Sequence, residues 1–146
     1  MKELIELIAQ KHWESGIDVN PPAKLSEIED FERLAGFLLP ADFREFYLTC
    51  NGFACNEDIF NMLPLSIIRQ FPKDYGVNWF YFSEYMICSD KWGLRLTSSG
   101  EYEIFNGSYP DKALTNSLSE FLKRFLKGNV FDTDGLYDWH VEIGIN

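Results

Sequence analysis

In this chain of 146 residues, two histidines and three cysteines carry the side-chain chemistry that operates near neutral pH. His12 and His140 lie near opposite ends, and no Gly-x-Ser-x-Gly elbow accompanies them, so a Ser-His or Cys-His nucleophile has no local signature. His12 falls on an amphipathic helical pattern, where packing accounts for it. His140 lies among carboxylates in the last eighteen residues. A neighbouring anion would favour its charged form and suit it to general acid–base work in a small hydrolase. Cys50, Cys55 and Cys88 are odd in number, and their spacing fits neither a disulfide framework nor a zinc pattern. They read as small core hydrophobes. There is no phosphate loop and no dinucleotide fingerprint. The expectation is no catalytic residue, no cofactor and no metal.

What remains is binding. Residues Asn129 to Asn146 carry Asp132, Asp134, Asp138 and Glu142 with Phe131, Tyr137 and Trp139, and no Lys or Arg. Carboxylates interleaved with rings combine steering of a cation-rich partner with the aromatic anchors that dominate binding hot spots. Asp132, Asp134, Tyr137, Asp138, Trp139 and Glu142 are therefore the candidate partner-binding residues. The competing reading is a tail that closes the sheet edge, with its rings buried and its acids solvated.

Thirteen basic against 23 acidic residues give a net charge of −10, which repels nucleic-acid phosphate and anionic membrane and favours a basic protein partner. Solubility alone would also explain it. No apolar run reaches the roughly 18 to 20 residues of a membrane span, and Met1 to Leu4 lead into an amphipathic pattern, so a cytoplasmic protein is expected. The length suits one domain, residues 1–146. The 13 Phe, 7 Tyr and 4 Trp promise a core filled by rings, in a monomer or weak homodimer.

The elements that must position the tail can be read in order. Met1 to about Ser15 is an amphipathic helix ended by Gly16, with Trp13 on the core. Ser26-Glu27-Ile28-Glu29 is a capping box opening a helix with Ile28, Phe31, Leu34 and Ala35 inward and Gly36 as its stop. Pro40 opens a short helix whose Phe43, Phe46, Tyr47 and Cys50 form one aromatic face, with Asn51-Gly52 at its end. Asp58 to Leu63 reads as a strand, and Ser66 as the cap of one or two helical turns. Trp79 to Cys88 reads as an aromatic strand, Asp90 to Gly93 as a turn, Leu94 to Thr97 as a strand, Ser98 to Gly100 as a turn, and Tyr102 to Phe105 as the return strand. Ser117-Leu118-Ser119-Glu120 is a second capping box before a helix with Leu118, Phe121, Leu122, Phe125 and Leu126 inward and Gly128 as its end. The fold expected is α+β, a central antiparallel-rich sheet with a three-stranded meander packed by four to five helices.

The Leu39-Pro40 to Asn51-Gly52 helix resembles the SUKH superfamily, the Smi/Knr cell-wall-regulator-like proteins that include many bacterial toxin immunity proteins. The similarity extends from about Ser26 to Leu126. It takes in Ile59 to Leu65, Met86 to Asp90 with Gly93, the strand and turn through Gly100 to Phe105, and Ser117 to Leu122. Lys91-Trp92 before Gly93 departs from the small residues common in the family. The resemblance implies a single Smi/Knr-like domain that neutralises a secreted toxin, many such toxins being nucleases, by direct binding. An alternative it implies is a regulatory adaptor of cell-wall or glucan synthesis. It carries over no active site.

Overall fold

The computed structural model describes residues 1–87 and 89–145. Among these described residues six α-helices and eight strands make an α+β fold in which every ladder is antiparallel, one helix more than expected. The sheet runs β1-β2-β3-β5-β6-β7-β8, with β4 pairing on β5.

Helix α1 (Lys2–Lys11) buries Leu4, Ile5 and Ile8 and stops at His12, short of Ser15. Trp13, expected on the core, is 80% exposed, because Gly16 turns the chain with φ of 90° into β1 (Ile17–Val19) and leaves the indole outside. Helix α2 (Leu25–Ala35) opens on Lys24, whose N–H donates to Glu27 Oε1 at 3.0 Å. The box on Ser26 and Glu29 is thus displaced by two residues. The cause is long-range: the Ala23 N–H donates to the Tyr47 carbonyl at 2.9 Å, which lets the helix begin earlier. Ile28, Phe31 and Ala35 face inward as expected, but Leu34 is exposed and Glu32 takes its place. Glu32 tolerates burial because its carboxylate accepts from the Leu39 N–H and from Arg44, each at 2.7 Å, which ties α2 to the next helix.

Helix α3 (Ala41–Thr49) has Pro40 at its N-cap, and Phe43, Phe46, Tyr47 and Cys50 are buried as their spacing predicts. Cys50 is already extended, so Asn51-Gly52 turns the chain into β2 (Phe53–Cys55) and does not cap the helix. Gly52 is needed there twice over: its φ is 85°, and a Cβ would lie 2.3 Å from the Met62 carbonyl oxygen. The expected strand from Asp58 is shorter, β3 (Phe60–Met62), because Ile59 adopts φ of 52° in the turn that joins it to β2. Helix α4 (Leu65–Gln70) is capped by Pro64, one residue short of the helix, and not by Ser66.

After β4 (Tyr75–Gly76) comes β5 (Trp79–Tyr85). It does not continue through Met86 and Ile87, which both take φ of 51° in the turn to β6 (Asp90–Leu96). The turn expected at Asp90 to Gly93 is therefore strand, with Tyr85 opposite Asp90 and Ser83 opposite Trp92. A ring as large as Trp92, without exposure, is held better by a ladder than by a turn. The meander ends in β7 (Tyr102–Asn106) and β8 (Ala113–Thr115). Helix α5 (Leu118–Gly128) starts as expected, with Ser117 Oγ accepting from the Glu120 N–H at 3.2 Å. The Glu120 carboxylate completes no box and bonds the Thr115 hydroxyl. The tail forms α6 (Leu136–Glu142), folded back along α5.

One cluster of buried side chains joins the helices to the sheet, and rings dominate it. Phe60 stacks on Phe125 with centroids 4.1 Å apart, and Phe43 meets Phe80, Phe82 and Tyr102 edge-on. Cys50 and Cys55 belong to this core, where burial pushes their thiols up to about 11 and about 12. Cys88 lies outside the described residues.

Candidate partner-binding surface

The six tail residues divide into two groups. In the first, the acids meet cations or N–H groups of the chain itself. Asp134 lies 3.3 Å from Lys127 Nζ, Asp138 accepts from the Asp134 N–H at 2.8 Å, and Glu142 pairs with Arg124. The Arg124 guanidinium also lies over the Trp139 ring, 5.3 Å from its centroid, and Trp139 is buried to 8% exposure. Arg124 and Lys127, which suit the negative end of the α5 dipole, thus also face Glu142 of α6 and Asp134 of the loop before it. This arrangement leaves Trp139 little surface for a partner.

The second group is Asp132 and Tyr137, at the end of the sheet where two turns meet. Met86 of the β5–β6 turn donates its N–H to the Ile59 carbonyl of the β2–β3 turn at 3.0 Å. Phe131 packs edge-on against Tyr85 at 5.5 Å and tilted against Tyr137 at 4.8 Å. The Tyr137 hydroxyl donates to Asp90 Oδ2 at 2.6 Å, and burial together with that carboxylate pushes the phenol pKa up. Around these half-buried rings, Ile59, Met86, Phe131 and Ile87 are 42, 47, 67 and 84% exposed. Glu57, Asp58 and Asp132 stand in sequence beside them. The result is an exposed apolar surface with the Asp90 carboxylate at the Tyr137 hydroxyl and further acids next to it in sequence.

Its backbone is unusual. Of the non-glycine residues with positive φ, Ile59, Met86, Ile87, Asn129 and Asp134 all belong to this end of the molecule or to the link into α6. A β-branched residue there is strained by its Cβ, at a cost of about 1–2 kcal/mol. Of the residues gathered at this end, sequence reasoning had named Asp132 and Tyr137 as candidates and had not named Ile59, Tyr85, Met86 and Ile87, because apolar and aromatic residues in series read as strand. Phe131 was legible as a tail ring.

His140 is 4% exposed, and its Nε2 accepts the Trp92 indole N–H at 3.1 Å. Burial holds the imidazole below its ordinary value, with Asp90 opposing the effect. A nitrogen spent on a buried indole has no lone pair for a substrate proton, so this His140 positions Trp92 and α6. A concavity of about 660 Å³ lies between α4 and the sheet, walled by Ile67, Ile68, Phe71 and Pro72 with the Lys91–Asp74 pair at one side. Among the described residues no histidine, cysteine or serine lines it. Among the described residues no group of three or more His, Cys, Asp and Glu is placed to hold a metal ion, and no helix is long and apolar enough to cross a membrane.

No curated protein matches the chain. The family profile that does match begins just before α2 and ends within α5, so it takes in the α3 helix, the meander and most of the ring-filled core, and leaves α1 and the tail outside. With residues 22–124 matched, the chain belongs to the SMI1 / KNR4 family (SUKH-1).

Proposed function

We propose that this protein is a non-catalytic binding domain that neutralises a secreted toxin by docking a basic surface of it on the turn end of the sheet. The observation that carries this reading is the exposure of Ile59, Met86, Ile87 and Phe131 on left-handed or loop backbone beside carboxylates. Exposed apolar side chains gathered in one place mark interaction sites, and strain retained at such a place belongs with function. The net charge of −10 supplies the long-range attraction for a cationic partner. A nuclease toxin fits, since a site that holds phosphate is basic. Family membership supports the reading, and a cytoplasmic location accompanies it.

Of the six tail residues, Asp132 and Tyr137 belong to the docking surface in this reading. Asp134, Asp138, Trp139 and Glu142 contribute through the field and through the packing of α6. The test uses a toxin encoded beside this gene, its binding followed by surface plasmon resonance at low and high salt. Charge reversal at Asp132, Asp134 and Asp138 should slow association at low salt, because screening acts on steering before it acts on packed anchors. Ile87→Asp should speed dissociation. Unchanged kinetics for both variants would remove the turn end and the tail together.

A further inference from the structure

His12 is the buried titratable group that neither the core nor the docking surface explains. It closes α1 with 2% exposure, its ring stacked flat on Phe125 at 5.2 Å. Nδ1 lies 3.2 Å from Asp58 Oδ2, so in the neutral ring the proton sits on Nδ1 and Nε2 is a bare acceptor. The side chain with which the ring would form a further hydrogen bond is Asn129, the residue that follows α5. His12 Nε2 and Asn129 Oδ1 are both buried without a hydrogen-bond partner among the described residues. On its other side the same carboxamide donates from Nδ2 to Asp132 Oδ2 at 3.1 Å.

Two acceptors with no proton between them leave each other unsatisfied, and two arrangements relieve this. A protonated ring donates from Nε2 to Oδ1, and the carboxamide keeps its bond to Asp132. A neutral ring instead accepts from Nδ2 once the carboxamide turns over. Oδ1 then faces the Asp132 carboxylate, which lets go into water. The two ends of a carboxamide are nearly equal in shape, so the turn needs no new space.

We propose that His12 and the Asn129 carboxamide form a proton-driven switch that ties or frees Asp132 beside Phe131. One solvent proton binds Nε2 per cycle, and no other bond to hydrogen changes. The groups facing the ring are Asp58 and Glu57 from the β2–β3 turn, Lys11 from α1, Phe125 from α5 and Asn129. The two acids favour the cation and Lys11 opposes it, while burial outweighs both and holds the pKa below its ordinary value. The neutral ring is therefore the state at neutral pH, where the turned carboxamide would free Asp132, and acid ties Asp132 down in the arrangement the structure shows. The coupling stands on the ring and the carboxamide alone; its bearing on docking rests on the surface proposed above.

The experiment is an NMR titration of the free, isotope-labelled chain between about pH 8 and pH 5. Expected are protonation at His12 Nε2, with Nδ1 protonated throughout, and inflections at the same midpoint in the Asn129 side-chain amide and the Asp132 carboxyl carbon. Asn129→Gly accepts the left-handed backbone and removes the carboxamide. It should abolish the Asp132 inflection at that midpoint and lower the His12 midpoint, since the cation loses an acceptor. Flat Asn129 signals through the His12 midpoint in the parent protein overturn the switch, whatever the variant does. No partner enters the measurement, so its failure is distinct from failure of the docking reading.

Discussion

Phe43, Phe46 and Tyr47 on α3 have no exposure, whereas Ile59, Met86, Ile87 and Phe131 at the turn end keep 42 to 84% of theirs. Both regions concentrate large apolar side chains. On α3 the backbone is regular and each ring is removed from water, so the side chains contribute to stability. At the turn end the backbone is left-handed and the side chains remain in water, so the same residue types contribute little to stability and carry a strain cost besides. Burial, and not residue type, separates what holds the fold from what is left in water.

The largest effect that tests this contrast is Phe46→Ala. It should cost about 3–5 kcal/mol in urea unfolding, and a loss under about 1 kcal/mol would put α3 outside the core. Gly52→Ala should cost roughly 1–3 kcal/mol by the same measurement, since a Cβ there meets both a positive φ and the Met62 carbonyl. A neutral effect would mean that the α3–β2 turn shifts freely. Acidification comes next. Burial keeps His12 and His140 below their ordinary values, so between the folded and unfolded pKa the unfolded chain binds more protons. The stability they contribute is complete above about pH 6.5 and is lost as pH falls through the folded values. Urea midpoints should decline over that window, and midpoints that rise on acidification would refute neutral burial. Ile87→Asn, placing a residue tolerant of left-handed backbone, should raise stability by about 0.5–1 kcal/mol while weakening partner binding. Phe131→Ser should change stability by no more than about 0.5 kcal/mol, and a larger loss would make the turn end part of the core.

How much of this was legible depended on how local its cause is. The α3 helix could be read because Pro40 and the spacing of Phe43, Phe46, Tyr47 and Cys50 lie within the element itself, and Ser117 likewise marks α5. Strands β1, β2, β4 and β8 span two or three residues each, too few for an alternating pattern, and pairing with a neighbour makes them. The Ser26 box failed because the Ala23–Tyr47 hydrogen bond reaches across 24 residues to set the helix start. Met86 and Ile87 have strand-forming or neutral side chains, and nothing in their types announces a left-handed turn. In the tail the acids and rings were visible, but that Arg124 and Lys127 lie across from them follows only from the packing of α6 on α5.

The sheet order β1-β2-β3-β5-β6-β7-β8 follows the order of the chain. Each strand therefore finds its neighbour already made when it leaves the ribosome, and the meander can assemble during synthesis with little loop-closure cost. The contacts that cannot form early are those of α1 with the far end of the chain. Lys11 bonds the Leu126 carbonyl, His12 stacks on Phe125, and Asn129 stands beside His12. A nascent chain halted before Asn129 would hold most of its sheet yet lack Phe131, Asp132 and Tyr137. On the proposed reading it could not engage a toxin until Phe131, Asp132 and Tyr137 had emerged, so synthesis of this segment would time the onset of protection.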